Sequence, residues 1–134
     1  MMGLALLIVS GVANASGIKA SKLTRNYAIN TYVDAMVRGR LDGFKDVLAP
    51  DAGFSMLRGT KVMNFSKKQM LDYMEDNRNV EQVCDISTEV IESNSDISLV
   101  KVDMKFDGFT RSNYVTMANT GEGWKITNVY SVFK

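Results

Sequence analysis

From Val80 to the end of the chain, apolar and polar residues alternate with period two, as they do in strands with one covered face. This predicts four long strands, Val80–Glu92, Ile97–Phe106, Phe109–Ala118 and Trp124–Phe133. They are joined by Ser93-Asn94-Ser95-Asp96, Asp107-Gly108 and Thr120-Gly121-Glu122-Gly123. Earlier in the chain the period is helical. Ala28, Tyr32, Ala35 and Met36, widened by Ile29 and Val33, form a stripe over Thr24–Arg38 that Gly39 ends. A second, shorter helix carries Leu41, Phe44, Val47 and Leu48 on one side and stops at Pro50. Gly53–Arg58 and Lys61–Phe65 read as two short strands around Gly59-Thr60. Ser66-Lys67-Lys68-Gln69 then has the form of a capping box opening a third helix with Met70, Leu71, Tyr73 and Met74.

The Asp107-Gly108 turn, predicted as type I′, fixes a register. It sets Phe106 opposite Phe109, Met104 opposite Arg111, Val102 opposite Asn113 and Val100 opposite Val115. The other face then carries Lys101, Asp103 and Lys105 against Thr110, Ser112 and Tyr114, so the first face is the covered one. A four-residue loop after Asn119 would pair Asn119 with Trp124, Val115 with Asn128, Asn113 with Tyr130 and Arg111 with Val132, turning Trp124 and Ile126 inward. The covered face thereby acquires a polar cluster of Arg111, Asn113, Asn128 and Tyr130. Buried polar groups without partners cost roughly 1–3 kcal/mol each, so four together point to a cavity holding water or a ligand. The alternative is that they lie at the open rim of the sheet or satisfy one another. For the first long strand two readings stay open. A three-residue loop turns Cys84, Ile86, Thr88 and Val90 inward, a four-residue loop reverses them, and a bulge can switch faces midway.

Leu4–Val12 is an uncharged apolar stretch followed by Ala13-Asn14-Ala15, which is the pattern of a signal segment over 1–15 cleaved after Ala15. Met1-Met2-Gly3 lacks the usual positive charge, which leaves a start further upstream open; the competing reading is a buried N-terminal helix. Residues 16–22 form a loose leader and 23–134 a single domain, the size expected of 134 residues. The expected location is therefore periplasmic or secreted. No apolar run is long enough to span a bilayer. A net charge of +1 with scattered, paired charges gives no basic stripe for nucleic acid. Cys84, the only cysteine, reads as a small core residue.

Two N-terminal helices, a short hairpin, a third helix and four long antiparallel strands resemble the nuclear transport factor 2-like (cystatin-like cone) superfamily. The stretch Tyr27–Phe54, with Leu48-Ala49-Pro50-Asp51-Ala52 leading into the first strand, resembles that family's opening. Gly123-Trp124-Lys125-Ile126 resembles its closing strand. The closest flavour is the lumazine-binding-like and SnoaL-like subgroup of small exported bacterial proteins. The resemblance implies an α+β cone in which three helices pack in the concave face of a strongly curved, mostly antiparallel sheet. It also implies a mouth that takes a small, flat or apolar molecule, and homodimers formed through the sheet.

Enzymes of that superfamily generally use a carboxylate base, often with histidine or tyrosine. This chain has no histidine, so it lacks the usual acid–base group near neutral pH and the commonest metal ligand. The reading is an exported, non-catalytic binding module with no catalytic residue, metal or cofactor. Arg111 would pair an anionic or carbonyl group, Asn113 and Asn128 would supply hydrogen bonds, and Trp124 and Tyr130 aromatic walls; Met104 and Tyr32 complete the candidate ligand-binding set. One alternative is an isomerase- or cyclase-like enzyme using an Asp/Tyr pair from Asp34, Asp85 or Asp103 with Tyr32, Tyr114 or Tyr130. The other is a structural or dimerisation module without a pocket.

Overall fold

A computed structural model describes residues 19–134. The predicted signal segment, and residues 16–18 of the leader, lie outside the described residues. Ala20–Leu23, running from the leader into the first residue of the domain, forms one 3-10 turn.

Helix α1 is Arg25–Arg38, started by the Thr24 side chain, whose Oγ1 accepts the Tyr27 N–H at 3.1 Å. Gly39 ends it in the left-handed conformation at φ 66°, donating back to the Ala35 and Asp34 turn. The predicted second helix shrinks to a single turn, α2, Phe44–Val47. Leu48 already has extended backbone and pairs with Ile126, so strand β1 runs Leu48–Arg58. Pro50 therefore lies inside a strand. Its missing N–H is tolerated because pairing to the neighbouring strand shifts between Leu48 and Gly53. Strand β2 is Lys61–Ser66, and α3 is Lys67–Asp76, opened by the predicted Ser66/Gln69 capping box, with both bonds formed at 3.1 and 2.8 Å.

Strands β3 (Asp85–Ser93), β4 (Ile97–Phe106), β5 (Phe109–Thr120) and β6 (Gly123–Phe133) complete a six-stranded sheet of order β2-β1-β6-β5-β4-β3. Every neighbouring pair is antiparallel except β1 with β6. β3 begins five residues later than the alternation suggests. The backbone before it is engaged elsewhere: Asn79 N–H donates to the Gly39 carbonyl and Gln82 N–H to the Val37 carbonyl, which ties this segment to the end of α1. Cys84 consequently sits just ahead of the strand, partly exposed rather than in the core, and burial followed by the nearby Asp85 charge pushes its thiol pKa up.

The β4–β5 register is the predicted one along its whole length, including Met104 opposite Arg111 and Val102 opposite Asn113. The turn that sets it is not type I′, since of its two central residues only Gly108 has positive φ, at 95°. In β3 a bulge at Ile91 decides between the open readings. Ile86, Thr88 and Val90 share a face with Met104, Val102 and Val100, and the face switches beyond it. The core lies between the three helices and the concave sheet face, with Met70 and Met74 of α3 among its buried members. Ala28, Tyr32 and Phe44 meet Val115, Met117, Ile126 and Val129 there, all nearly fully buried. Each large side chain so placed contributes roughly 1.5–3 kcal/mol. This burial draws the sheet around the helices and leaves a mouth at the end where α1 stops.

Candidate site at the mouth of the cone

The mouth is a cavity of about 180 Å³. Three kinds of element shape it: the last turn of α1 (Ala35, Met36, Gly39), the Met74 face of α3 with the segment after it, and the ends of β4, β5 and β6. Gly39 is needed here for two reasons. Its φ is left-handed, and a Cβ on it would come within 2.6 Å of the Asn79 nitrogen, which belongs to the tied-down segment forming one wall. Phe106 and Phe109 flank the Gly108 turn and stack with ring centroids 4.7 Å apart and 9° between planes. Phe133 ends β6 opposite Arg111.

Arg111 is half-buried in this apolar setting. Its guanidinium carbon lies 5.3 Å from the Phe133 ring centroid. Its Nε donates to Asn113 Oδ1 at 2.9 Å and its Nη2 to Ser131 Oγ at 3.3 Å. Ser131 Oγ in turn donates to the same Asn113 oxygen at 2.6 Å, and Asn113 Nδ2 donates to the Val102 carbonyl at 3.1 Å. Asn113, fully buried, thus spends its amide orienting the arginine. All acceptors in this network are neutral. Among the described residues no carboxylate pairs with Arg111, and none lines the cavity. A guanidinium offers five N–H donors, so several remain for an incoming oxygen.

Tyr32 lies one turn earlier on α1, fully buried against Phe44 and outside the cavity lining. Its hydroxyl has no hydrogen-bond partner among the described residues. Burial pushes its pKa up to about 12, partly opposed by the positive charge of Arg111.

The structure brings together Arg111, Asn113 and Met104 as expected, but it corrects the rest of the predicted cluster. β6 carries a bulge at Thr127: Ile126 pairs with Met117, yet Asn128 pairs with Thr116. From there every β6 residue is displaced by one, which reverses its face. Asn128 is exposed opposite Thr116, and Tyr130 faces Tyr114 on the outer surface; neither reaches the mouth. Ser131 takes the inward position opposite Asn113 instead. Trp124 does face inward, but at the far end of β6, where Arg25 lies 4.9 Å over its ring. The residues missed are Ser131, the three phenylalanines and Met36. A signal existed in the spacing Ile126-x-x-Val129, which breaks period two where the bulge occurs.

The carboxylates proposed for acid–base work lie elsewhere. Asp34 pairs with Arg38 at 2.8 Å, Asp85 is exposed, and Asp103 is on the outer face, 3.7 Å from Lys101. Among the described residues no group of three His, Cys, Asp or Glu side chains could hold a metal ion, and no helix is long and apolar enough to cross a membrane.

Comparison with known proteins fits this architecture. The model of the family described as "Putative lumazine-binding" matches residues 23–131. No curated protein matches the chain. Among solved structures, a nuclear transport factor 2-like protein of unknown function from Silicibacter pomeroyi is 16% identical. It covers 94% of this chain and 98% of its own, with a TM-score of 0.64. A cystatin-like fold protein from Burkholderia xenovorans is 16% identical, covering 81% and 87%, with a TM-score of 0.63. A nuclear transport factor 2-like protein from Rhodospirillum rubrum, described as of unknown function in nutrient uptake, is 20% identical over 81% and 97%, with a TM-score of 0.60. At these identities the structures bear on fold alone, whereas the family match spans most of the chain. The chain is a member of the "Putative lumazine-binding" family, on the nuclear transport factor 2-like cone fold.

Proposed function

We propose that this chain is an exported, non-catalytic module that binds a small, flat or apolar molecule bearing a carbonyl or anionic group at the mouth of the cone. The observation that carries the reading is Arg111: a half-buried cation held by neutral partners and stacked near Phe133. It faces a cavity lined mainly by apolar side chains, with Asn77 and Gln82 as neutral polar groups in the lining. A carbonyl or carboxylate oxygen would complete its hydrogen bonding at short range. The volume of about 180 Å³ is below the roughly 300–1,000 Å³ of drug-sized pockets, which suits one small ring system. The family's name makes lumazine, a flat heterocycle with two carbonyls, the first compound to test.

Isothermal titration with lumazine should give a single saturable site. Arg111→Ala removes hydrogen bonds from a charged donor, worth about 1.5–3 kcal/mol, and so should weaken binding about 10- to 150-fold. Unchanged affinity in that variant would remove the mouth from consideration. Export and pairing of two copies through the outer sheet face belong to the same proposal. Tyr114 and Tyr130 lie opposite each other on that face, half-buried, beside Val132. Sedimentation should report a dimer that Tyr130→Glu dissociates, and the mature protein should begin at Ser16; a monomer, or an intact Met1 in the periplasm, would contradict these parts.

A further inference from the structure

At the opposite end of the molecule from the mouth lies a second, larger recess of about 750 Å³, and four lysines from four different elements converge on it. Lys22 comes from the 3-10 turn, Lys45 from α2, Lys67 from the first position of α3 and Lys125 from β6. Two carboxylates, Asp46 and Glu122, also border it, which leaves an excess of two positive charges. Its lining also includes the apolar residues Val47, Leu48, Ala49 and Pro50.

Two of the lysines are positioned without being neutralised. Lys67 Nζ donates to the Leu48 carbonyl at 3.2 Å, and Lys125 Nζ to the Asp46 backbone carbonyl at 2.7 Å. Among the described residues none of the four has a carboxylate oxygen within 4.0 Å. Each ammonium has three donors, so Lys67 and Lys125 keep two each after those bonds. Burial first, and then the charges of Lys45 and Lys125, hold the Lys67 pKa below the ordinary lysine range, with Asp46 opposing. The positive charges of Lys45 and Lys125 thus act on the Lys67 ammonium across this recess. An ion with two negative charges would relieve that repulsion and take up the spare donors.

We propose that this recess is a second binding site, which takes a soluble small molecule bearing a phosphate or diphosphate dianion on an apolar or flat body. A concave recess with a partly apolar lining favours such a molecule over a flat membrane surface, although an anionic lipid headgroup presents the same chemistry. The site is separate from the mouth and does not depend on how the mouth is read.

The test is calorimetric titration of the whole mature protein with inorganic pyrophosphate and, separately, phenyl phosphate, at low ionic strength. A single site is expected, with phenyl phosphate retained by the apolar part of the lining. Lys67→Met keeps the partly buried stem while removing the charge, and should weaken pyrophosphate at least about tenfold, as should Lys125→Met; circular dichroism confirms that both variants fold. Arg111→Ala should leave this affinity unchanged, and 0.5 M sodium chloride should weaken it by roughly tenfold or more, since exposed charges are screened within a few ångströms at such salt. Loss of binding in Arg111→Ala but not in the lysine variants would overturn the proposal by placing the anion in the mouth. No binding of either compound would overturn it too, as would binding to phosphatidic-acid vesicles alone.

Discussion

The two recesses of this molecule handle positive charge in opposite ways. At the mouth one guanidinium is half-buried, locked by Asn113 and Ser131 and laid near Phe133. At the other end, four ammonium groups on flexible stems border an open recess with no ion-pair partner among the described residues. The difference shows how much organisation each charge requires. A cation in apolar surroundings is tolerated only with its hydrogen bonds arranged in advance, and such a site discriminates by shape and by the placing of one oxygen. The lysines, two exposed and two half-buried, need less of a scaffold, a single backbone carbonyl each for Lys67 and Lys125. They attract by field, and that field is weakened by salt.

The largest expected effect comes from breaking the scaffold at the mouth. Asn113→Leu removes the acceptor of both the Arg111 and Ser131 bonds and leaves the guanidinium unpaired at Nε. Stability should fall by about 3 kcal/mol, the upper end for a hydrogen bond to a charged group, read as a lower urea midpoint. A loss below 0.5 kcal/mol would mean that the network does not hold the arginine. Lys125→Met, at the other end, should change stability far less.

Next in size is the alkaline response of Tyr32. Its folded pKa of about 12 lies above the ordinary value near 10. The stability it contributes is therefore fully present below pH 10 and is lost as pH rises toward 12, because the unfolded chain releases the proton first. The expected slope across that window is about 1.4 kcal/mol per pH unit. Tyr32→Phe should abolish that component, which chemical denaturation at pH 9, 10 and 11 would show. The same variant should be neutral or slightly stabilising at pH 7, since the hydroxyl has no partner among the described residues. An identical alkaline slope in Tyr32→Phe would assign the effect to another group.

Much of this fold is legible in the sequence because its signals are local. Thr24 and Gly39 bound α1, Ser66 and Gln69 open α3, and Asp107-Gly108 fixes the β4–β5 register whatever the turn type. Arg111 and Asn113 were placed correctly by that register alone. The failures occur where backbone hydrogen bonding across elements overrides alternation. Pairing of Leu48 with Ile126 converts the end of a helix into strand. The bonds from Asn79 and Gln82 to α1 delay β3. The bulge at Thr127 exchanges Asn128 and Tyr130 for Ser131. A single inserted residue in a strand has little composition signature, yet it reverses everything beyond it. The lysine recess was equally hidden, because its four members are spread from position 22 to position 125 and only the folded chain assembles them.

The central claim is that a small flat molecule enters at the mouth and is held by Arg111. Its most direct test is a two-dimensional NMR titration of the labelled protein with lumazine. Shifts should concentrate on the Arg111 Nε–H, on the backbone around Phe106–Phe109 and at Phe133, with Lys45, Lys67 and Lys125 unmoved. Shifts centred on those lysines, or none at saturating lumazine, would contradict it.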